Sequence, residues 1–185
     1  MPGADGPDAD AVAAALAGRD SGYRALLDRH RASVFRYVRG YTGDESEALD
    51  LTQDCFIAAF AALRRYDPTR PFRPWLMRIA VNKCHDWSRR RAVRRMFAWA
   101  QPLDAALDIA DSAADPEAAL ASAREISRIQ AAIAALPVTL REPLLLCTIE
   151  GMAQDEAAAV LGISRKAVET RIYRAREKLS QVLEG

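Results

Sequence analysis

The chain has 185 residues, half of them hydrophobic, enough for one large domain or two small ones with real cores. Its 26 Lys and Arg almost cancel 25 Asp and Glu, for a formal net charge of +1, so total charge points to no partner class. No stretch approaches the length of a membrane span, and the acidic start MPGADGPDAD lacks the basic end and apolar core of a signal peptide, which excludes secretion and implies a soluble cytoplasmic protein.

The near-neutral total hides strong segregation. From Arg64 to Arg95 there are eleven Lys or Arg against Asp67 and Asp86 alone. From Asp44 to Asp54 there are five acids and no base, and the same holds from Met96 to Ala123. A basic block suits a polyanion, and an acidic block suits a basic partner or repels a strand. Taken singly, each block also reads as a solvated helix face. Cys55, Cys84 and Cys147 are odd in number and widely spaced, as small buried hydrophobes in a reducing compartment are. Cys84–His85 has no second Cys or His at ligand spacing, so no metal or other cofactor is expected.

In chain order, helical periodicity dominates and no alternating strand stands out. Residues 1–20 are assigned to a flexible N-terminal tail. A first helix is predicted from about Ser21 to Tyr41, with Leu26, Leu27, Val34, Tyr37 and Val38 near helical spacing. Thr42–Gly43–Asp44 is a turn. A second helix is predicted from Glu45 to Arg65, with Leu49, Phe56, Ile57, Phe60 and Leu63 inward, and Asp67–Pro68 and Arg70–Pro71 break it. A third carries Trp75, Leu76, Ile79, Ala80 and Trp87 into the run Arg89–Arg91, Arg94, Arg95, too dense for a solvated face and suited to backbone phosphates. Gln101–Pro116 holds two prolines, four acids and no base, and reads as a linker. A further helical block runs from Glu117 to Leu136–Pro137. Thr139 with Glu142 three residues on reads as a capping box for the next helix, which Gly151 ends.

The most specific local signal follows. Gln154–Leu161 is a short helix, Gly162 a tight turn and Ser164 a good N-cap. From Arg165 to about Leu183 a longer helix places Val168, Ile172, Ala175, Leu179 and Val182 on one stripe. Its opposite face carries Lys166, Thr170, Tyr173, Arg174 and Glu177, flanked by Glu169 and Arg171. This is a helix-turn-helix with a polar, basic recognition helix. Glu169, Thr170, Tyr173 and Arg174 are candidates for base edges; Arg165, Lys166, Arg171 and Arg176 are better phosphate partners. The fold is therefore all-α: two small helical domains, 21–95 and 117–185, joined by an acidic linker over 96–116, the second a helix-turn-helix.

Three segments in this order resemble the bacterial RNA polymerase sigma factors of the extracytoplasmic-function group. They are Ala48–Phe56 (ALDLTQDCF), Trp75–Arg90 (WLxRIAxNxxxDxxRR), and Leu136–Pro137 with Gly151–Ser164 (GMxQDEAAxVLGIS) and Val168–Leu179 (VETRIYRAREKL). The likeness covers roughly Ser21 to Leu183. It implies that Asp50, Gln53, Asp54 and Phe56 dock on the β′ clamp helices of polymerase core, acids against a basic coiled coil. It implies that Asn82, Asp86, Arg89, Arg90 and Arg91 engage and open the −10 element, where stacking and phosphate contacts offset the cost of flipping a base. Arg165, Lys166, Glu169, Thr170, Arg171, Tyr173 and Arg174 are then readers of the −35 element. The β flap of the polymerase and an anti-sigma factor, often membrane-anchored, are further implied partners. The linker would thread toward the RNA exit path, its acids repelling nucleic acid until a transcript displaces it. Members of the group often carry a basic or neutral residue in place of Glu169 and an aromatic in place of Gln154, which leaves the −35 sequence open. No fused sensor domain is expected beyond Gly185.

Two other readings compete. A stand-alone helix-turn-helix regulator would leave the acidic second helix and Trp75–Arg91 unexplained. An enzyme is disfavoured, because there is no Gly-rich phosphate loop or nucleophile elbow, and His30 and His85 lack convincing partners for catalysis of a small-molecule substrate.

Overall fold

A computed structural model of the chain describes residues 7–98 and 118–184. Among them there are helices and turns and no strand. The helices are α1 (Pro7–Leu16), α2 (Asp20–Thr42), α3 (Glu45–Ala62), α4 (Phe72–Ala98), α5 (Ala118–Ala135), α6 (Val138–Leu144), α7 (Gln154–Leu161) and α8 (Arg165–Glu184). A 3-10 turn, Leu63–Arg65, closes α3, and a π turn, Leu145–Ile149, extends α6. The linker expected over 96–116 lies outside the described residues from position 99 on; before that, α4 simply continues.

Helix α1 corrects the expectation of a flexible tail over 1–20. Its alanines favour helix, and Ala11, Val12 and Ala15 are buried against α2. Asp8 accepts from Arg29 and lies 3.0 Å from His30 Nε2, which ties the helix down with charge as well as apolar contact. The sequence signal was weak because α1 is short and offers only small side chains to bury.

The first domain is built around α2, whose Leu26, Val34, Tyr37, Val38 and Tyr41 are all fully buried. Asp44 begins α3, its side chain accepting from Glu47 N–H at 2.8 Å. Phe72, Leu76, Met77, Ala80 and Cys84 of α4 complete the core. Trp75 is half-buried, stacked at a tilt beside Phe72 and Tyr66. Two residues assigned to the inner face of α3 are not there: Leu49 is 41% exposed and Ile57 68% exposed.

In the second domain, Ile133 and Leu136 meet Leu144–Leu146, Val168, Ile172 and Ala175 in one core. The capping box at Thr139 does not form. Pro137 occupies the N-cap without a side-chain hydrogen bond, and Glu142 points away to the first domain. Gly151, at φ +64°, stands where the helix stops as expected, after the π turn that extends α6. The expected stripe on α8 holds for Val168, Ile172 and Ala175, with Leu179 half-buried, but Val182 is 58% exposed because the helix outruns its support.

Gly22 lets α1 lie against α2: a Cβ there would stand 2.3 Å from Ala15 N and 2.5 Å from Ala11 O, both backbone atoms. Ala in a helix normally outperforms Gly. Here Gly22→Ala is expected to destabilise the protein by about 1–3 kcal/mol through overpacking. Urea unfolding measures it, and a gain in stability would contradict the docking of α1.

Candidate nucleic-acid interface

Three exposed faces carry the candidate residues, each on a different helix. On α8, Ser164 starts the helix by accepting from Ala167 N–H at 3.1 Å, and Gly162 makes the preceding turn at φ +67°. At the start of α7, the Glu156 carboxylate accepts from Ala153 N–H at 3.2 Å, so a capping contact forms here without a side chain at the cap. Arg165, Lys166, Glu169, Tyr173 and Arg174 are exposed, and Tyr173 is 64% so, an aromatic ring kept in solvent. Lys166 Nζ lies 2.9 Å from Glu169 Oε2, which holds the Glu169 carboxyl below its ordinary value. Thr170 spends its hydroxyl on Lys166 O at 2.9 Å, leaving its methyl and oxygen lone pairs. Arg171 is half-buried on the flank, close enough to lower the Glu142 carboxyl, and is less available to DNA than the others. Gln154 lines the same open groove as Lys166, Glu169, Thr170 and Tyr173, so the turn before α7 and the outer face of α8 form one surface.

On α4 the basic stretch is a continuous ridge. Asn82, Arg89 and Arg90 are exposed, while Asp86 is half-buried and ion-paired with Arg89. Arg91 is half-buried, its guanidinium 4.9 Å from the Trp87 ring centroid. Trp87 in turn donates to Glu47 and meets Tyr41 edge-on. The ridge is thus braced from below by an aromatic cluster. Beyond it, Val93, Met96 and Phe97 are exposed among Arg94 and Arg95, an apolar and cationic mixture that suits stacked bases as well as phosphates.

On α3, Asp50, Gln53 and Asp54 are exposed, but Phe56 is buried and packs against Phe60. Phe56 supports the helix from inside and does not belong to its contact surface. The outer face instead presents Leu49 and Ile57 beside the acids. A pattern search that assigns every large apolar residue to the core misses these two; their place is visible only once the buried line Ala48, Leu51, Cys55, Phe56, Ala59 is known.

His85 and Cys84 do not converge. Cys84 is buried, and burial raises its thiol well above the usual range, while His85 pairs with the Glu142 carboxylate. His30 is buried against Phe72 and held by Asp8. Among the described residues no three His, Cys, Asp or Glu side chains gather as a metal site.

Two helical units, one with an acidic and a basic outer face and one with a helix-turn-helix, are the arrangement of the sigma-70 proteins. Residues 26–94 match Sigma-70 region 2 and residues 126–179 match Sigma-70 region 4. The chain is 41% identical to the RNA polymerase sigma factor CnrH of Cupriavidus metallidurans, over 96% of both chains. It is 31% identical to the ECF RNA polymerase sigma factor SigM of Mycobacterium tuberculosis, over 95% of this chain and 84% of the other. The solved structure of CnrH in complex with the cytosolic domain of CnrY superposes with a TM-score of 0.71 at 35% identity, covering 96% of this chain and 97% of that one. The chain belongs to the sigma-70 family, and within it to the extracytoplasmic-function sigma factors, subunits that direct RNA polymerase to promoters.

Removing the Ser164 cap by Ser164→Ala is expected to cost about 1 kcal/mol of stability, read by thermal unfolding. Glu169→Ala should relax discrimination at one upstream base pair by about 1–3 kcal/mol, read by binding to a set of single-base variants. An unchanged base preference removes Glu169 from the reading surface.

Proposed function

We propose that the three faces divide the work of promoter-specific initiation. The exposed acids Asp50, Gln53 and Asp54, with Leu49 and Ile57, bind the β′ clamp helices of core polymerase; charge steers the encounter and the two apolar side chains supply buried area. Asn82 and the Arg89–Arg90 ridge engage the −10 element as it opens, with Asp86 setting Arg89 and Trp87 bracing Arg91. The outer face of α8 reads the −35 element, and the remainder of the second domain meets the β flap. The domain limits are those of the sequence, 21–95 and 117–185, with α1 added to the first. The chain acts in the cytoplasm as a specificity subunit and carries no catalytic centre of its own.

One observation carries this reading: a single chain presents an acidic apolar face, a braced basic ridge and an exposed recognition helix, where a stand-alone repressor needs only the last. Control by an anti-sigma factor belongs to the proposal too. The related CnrH was solved bound to the cytosolic domain of CnrY, and a comparable partner here would hold the chain near the membrane until a signal arrives.

The test is initiation from a promoter library by bacterial core polymerase with and without the purified chain, read by sequencing transcript starts. Specific starts are expected only with both components. Tight sequence-specific DNA binding by the chain alone, without initiation, would overturn the proposal. In the same assay Asp54→Lys is expected to weaken core binding roughly tenfold while leaving −35 binding by the free chain unchanged. Equal loss of both would contradict the division of faces.

A further inference from the structure

Arg141, Glu142 and Glu150 are buried, and each has a partner in the first domain. Arg141 donates to Tyr41 O at 2.9 Å, with its guanidinium 4.1 Å from the Tyr41 ring centroid. Glu142 pairs with His85 of α4. The Glu150 side chain, which has no solvent exposure, accepts from Ser33 and from Arg36, whose Nε and Nη2 lie 3.0 and 3.1 Å from the two carboxylate oxygens. One neighbouring cation is left over. Arg39, one turn beyond Arg36 on α2, is half-buried, and its Nη1 is cut off from solvent with no hydrogen-bond partner among the described residues. A charged donor buried without an acceptor forfeits the hydrogen bonds that it would make in water.

Arg39 lines a cavity of about 380 Å³ formed by α2, α5 and the π turn. That volume falls at the small end of the roughly 300–1,000 Å³ of small-molecule sites. Its walls are mostly apolar: Phe35, Ile133, Leu145 and Ile149. Leu145 is fully buried, whereas Ile149 is 43% exposed, an apolar side chain left in solvent at the cavity. Gln130 adds one amide, and Glu45, exposed at the start of α3, adds one carboxylate. These groups select a ligand. Arg36 is already neutralised by Glu150, so Arg39 supplies the unmatched positive charge, and Glu45 opposes a dianion. A guanidinium fork takes a carboxylate through two parallel hydrogen bonds, and the apolar walls take a hydrocarbon body of limited length. We infer that this cavity binds a small amphipathic monocarboxylate, its carboxylate on Arg39 and Gln130 and its body against Phe35, Ile133 and Ile149. None of the residues assigned to core polymerase or to promoter DNA lines the cavity, so binding there is read without either.

The test is titration calorimetry of the full-length chain with butanoate, hexanoate and octanoate, and with octanol and inorganic phosphate for comparison. Octanoate should bind at a single site per chain, and affinity should rise about fourfold per methylene along the series until the cavity is full. Octanol and phosphate should each bind at least about tenfold more weakly than octanoate. Arg39→Met should weaken octanoate at least about tenfold and leave octanol unchanged, and retained octanol binding shows that the variant is folded. Ile149→Asn should weaken octanoate and octanol alike, by about threefold. Absence of saturable octanoate binding at millimolar concentration overturns the site. So does equal affinity for octanol and octanoate, which an apolar cleft without a charge partner would give. Octanoate binding that survives Arg39→Met, or phosphate binding tighter than octanoate, overturns the ligand class.

Discussion

Helix α2 is the wall on which both halves of the molecule lean. One side buries Leu26, Val34, Tyr37, Val38 and Tyr41 against α1, α3 and α4. The other meets α5 and the π turn through Ser33, Arg36 and Gly40. The first side is apolar; the second combines the buried Leu145 with the ion pairs of Arg36 and Glu150. Both sides join one buried apolar cluster, so α2 fixes the placement of α3 and α4 and also carries the second domain.

The functional faces follow from the same constraint. Burying Ala48, Leu51, Cys55, Phe56 and Ala59 turns Asp50, Gln53, Asp54, Leu49 and Ile57 outward together. Burying Leu76, Met77, Ala80 and Cys84 turns Arg78, Asn82, Arg89 and Arg90 outward. Burying Val168, Ile172 and Ala175 leaves Lys166, Glu169, Tyr173 and Arg174 in solvent. In each case the core stripe decides which polar residues are presented, so the electrostatics of the surface are a consequence of the packing beneath it.

Most of this was legible in the sequence. Periodicity, the breaks at Gly43, Pro68 and Pro71, and the Gly162–Ser164 turn place α2, α7 and α8 within a residue, and α3 together with the 3-10 turn that closes it, and the three motif segments name the family. What escaped has physical causes. Helix α1 was missed because alanines give little periodic contrast. Leu49 and Ile57 were assigned inward because hydrophobicity alone cannot separate a core stripe from an apolar contact face on the same helix. Periodicity puts Phe56 inward, where it lies, and only the resemblance of the Ala48–Phe56 segment places it in the docking set. Thr139 and Glu142 have the spacing of a capping box, but the pairing of Glu142 with His85, 57 positions away, wins, and no local pattern reports such a bond. Arg141 and Glu150 were invisible for the same reason.

In the proposed function one chain reads two separate DNA elements with different helices. The most direct measurement is a hydroxyl-radical footprint of the chain with core polymerase on a promoter it selects, at one copy of the chain per complex. Two protected segments are predicted, an upstream one lost when the outer face of α8 is replaced and a downstream one lost when Asn82 and Arg89–Arg90 are replaced. A single palindromic footprint, formed by two copies without core polymerase, would contradict it.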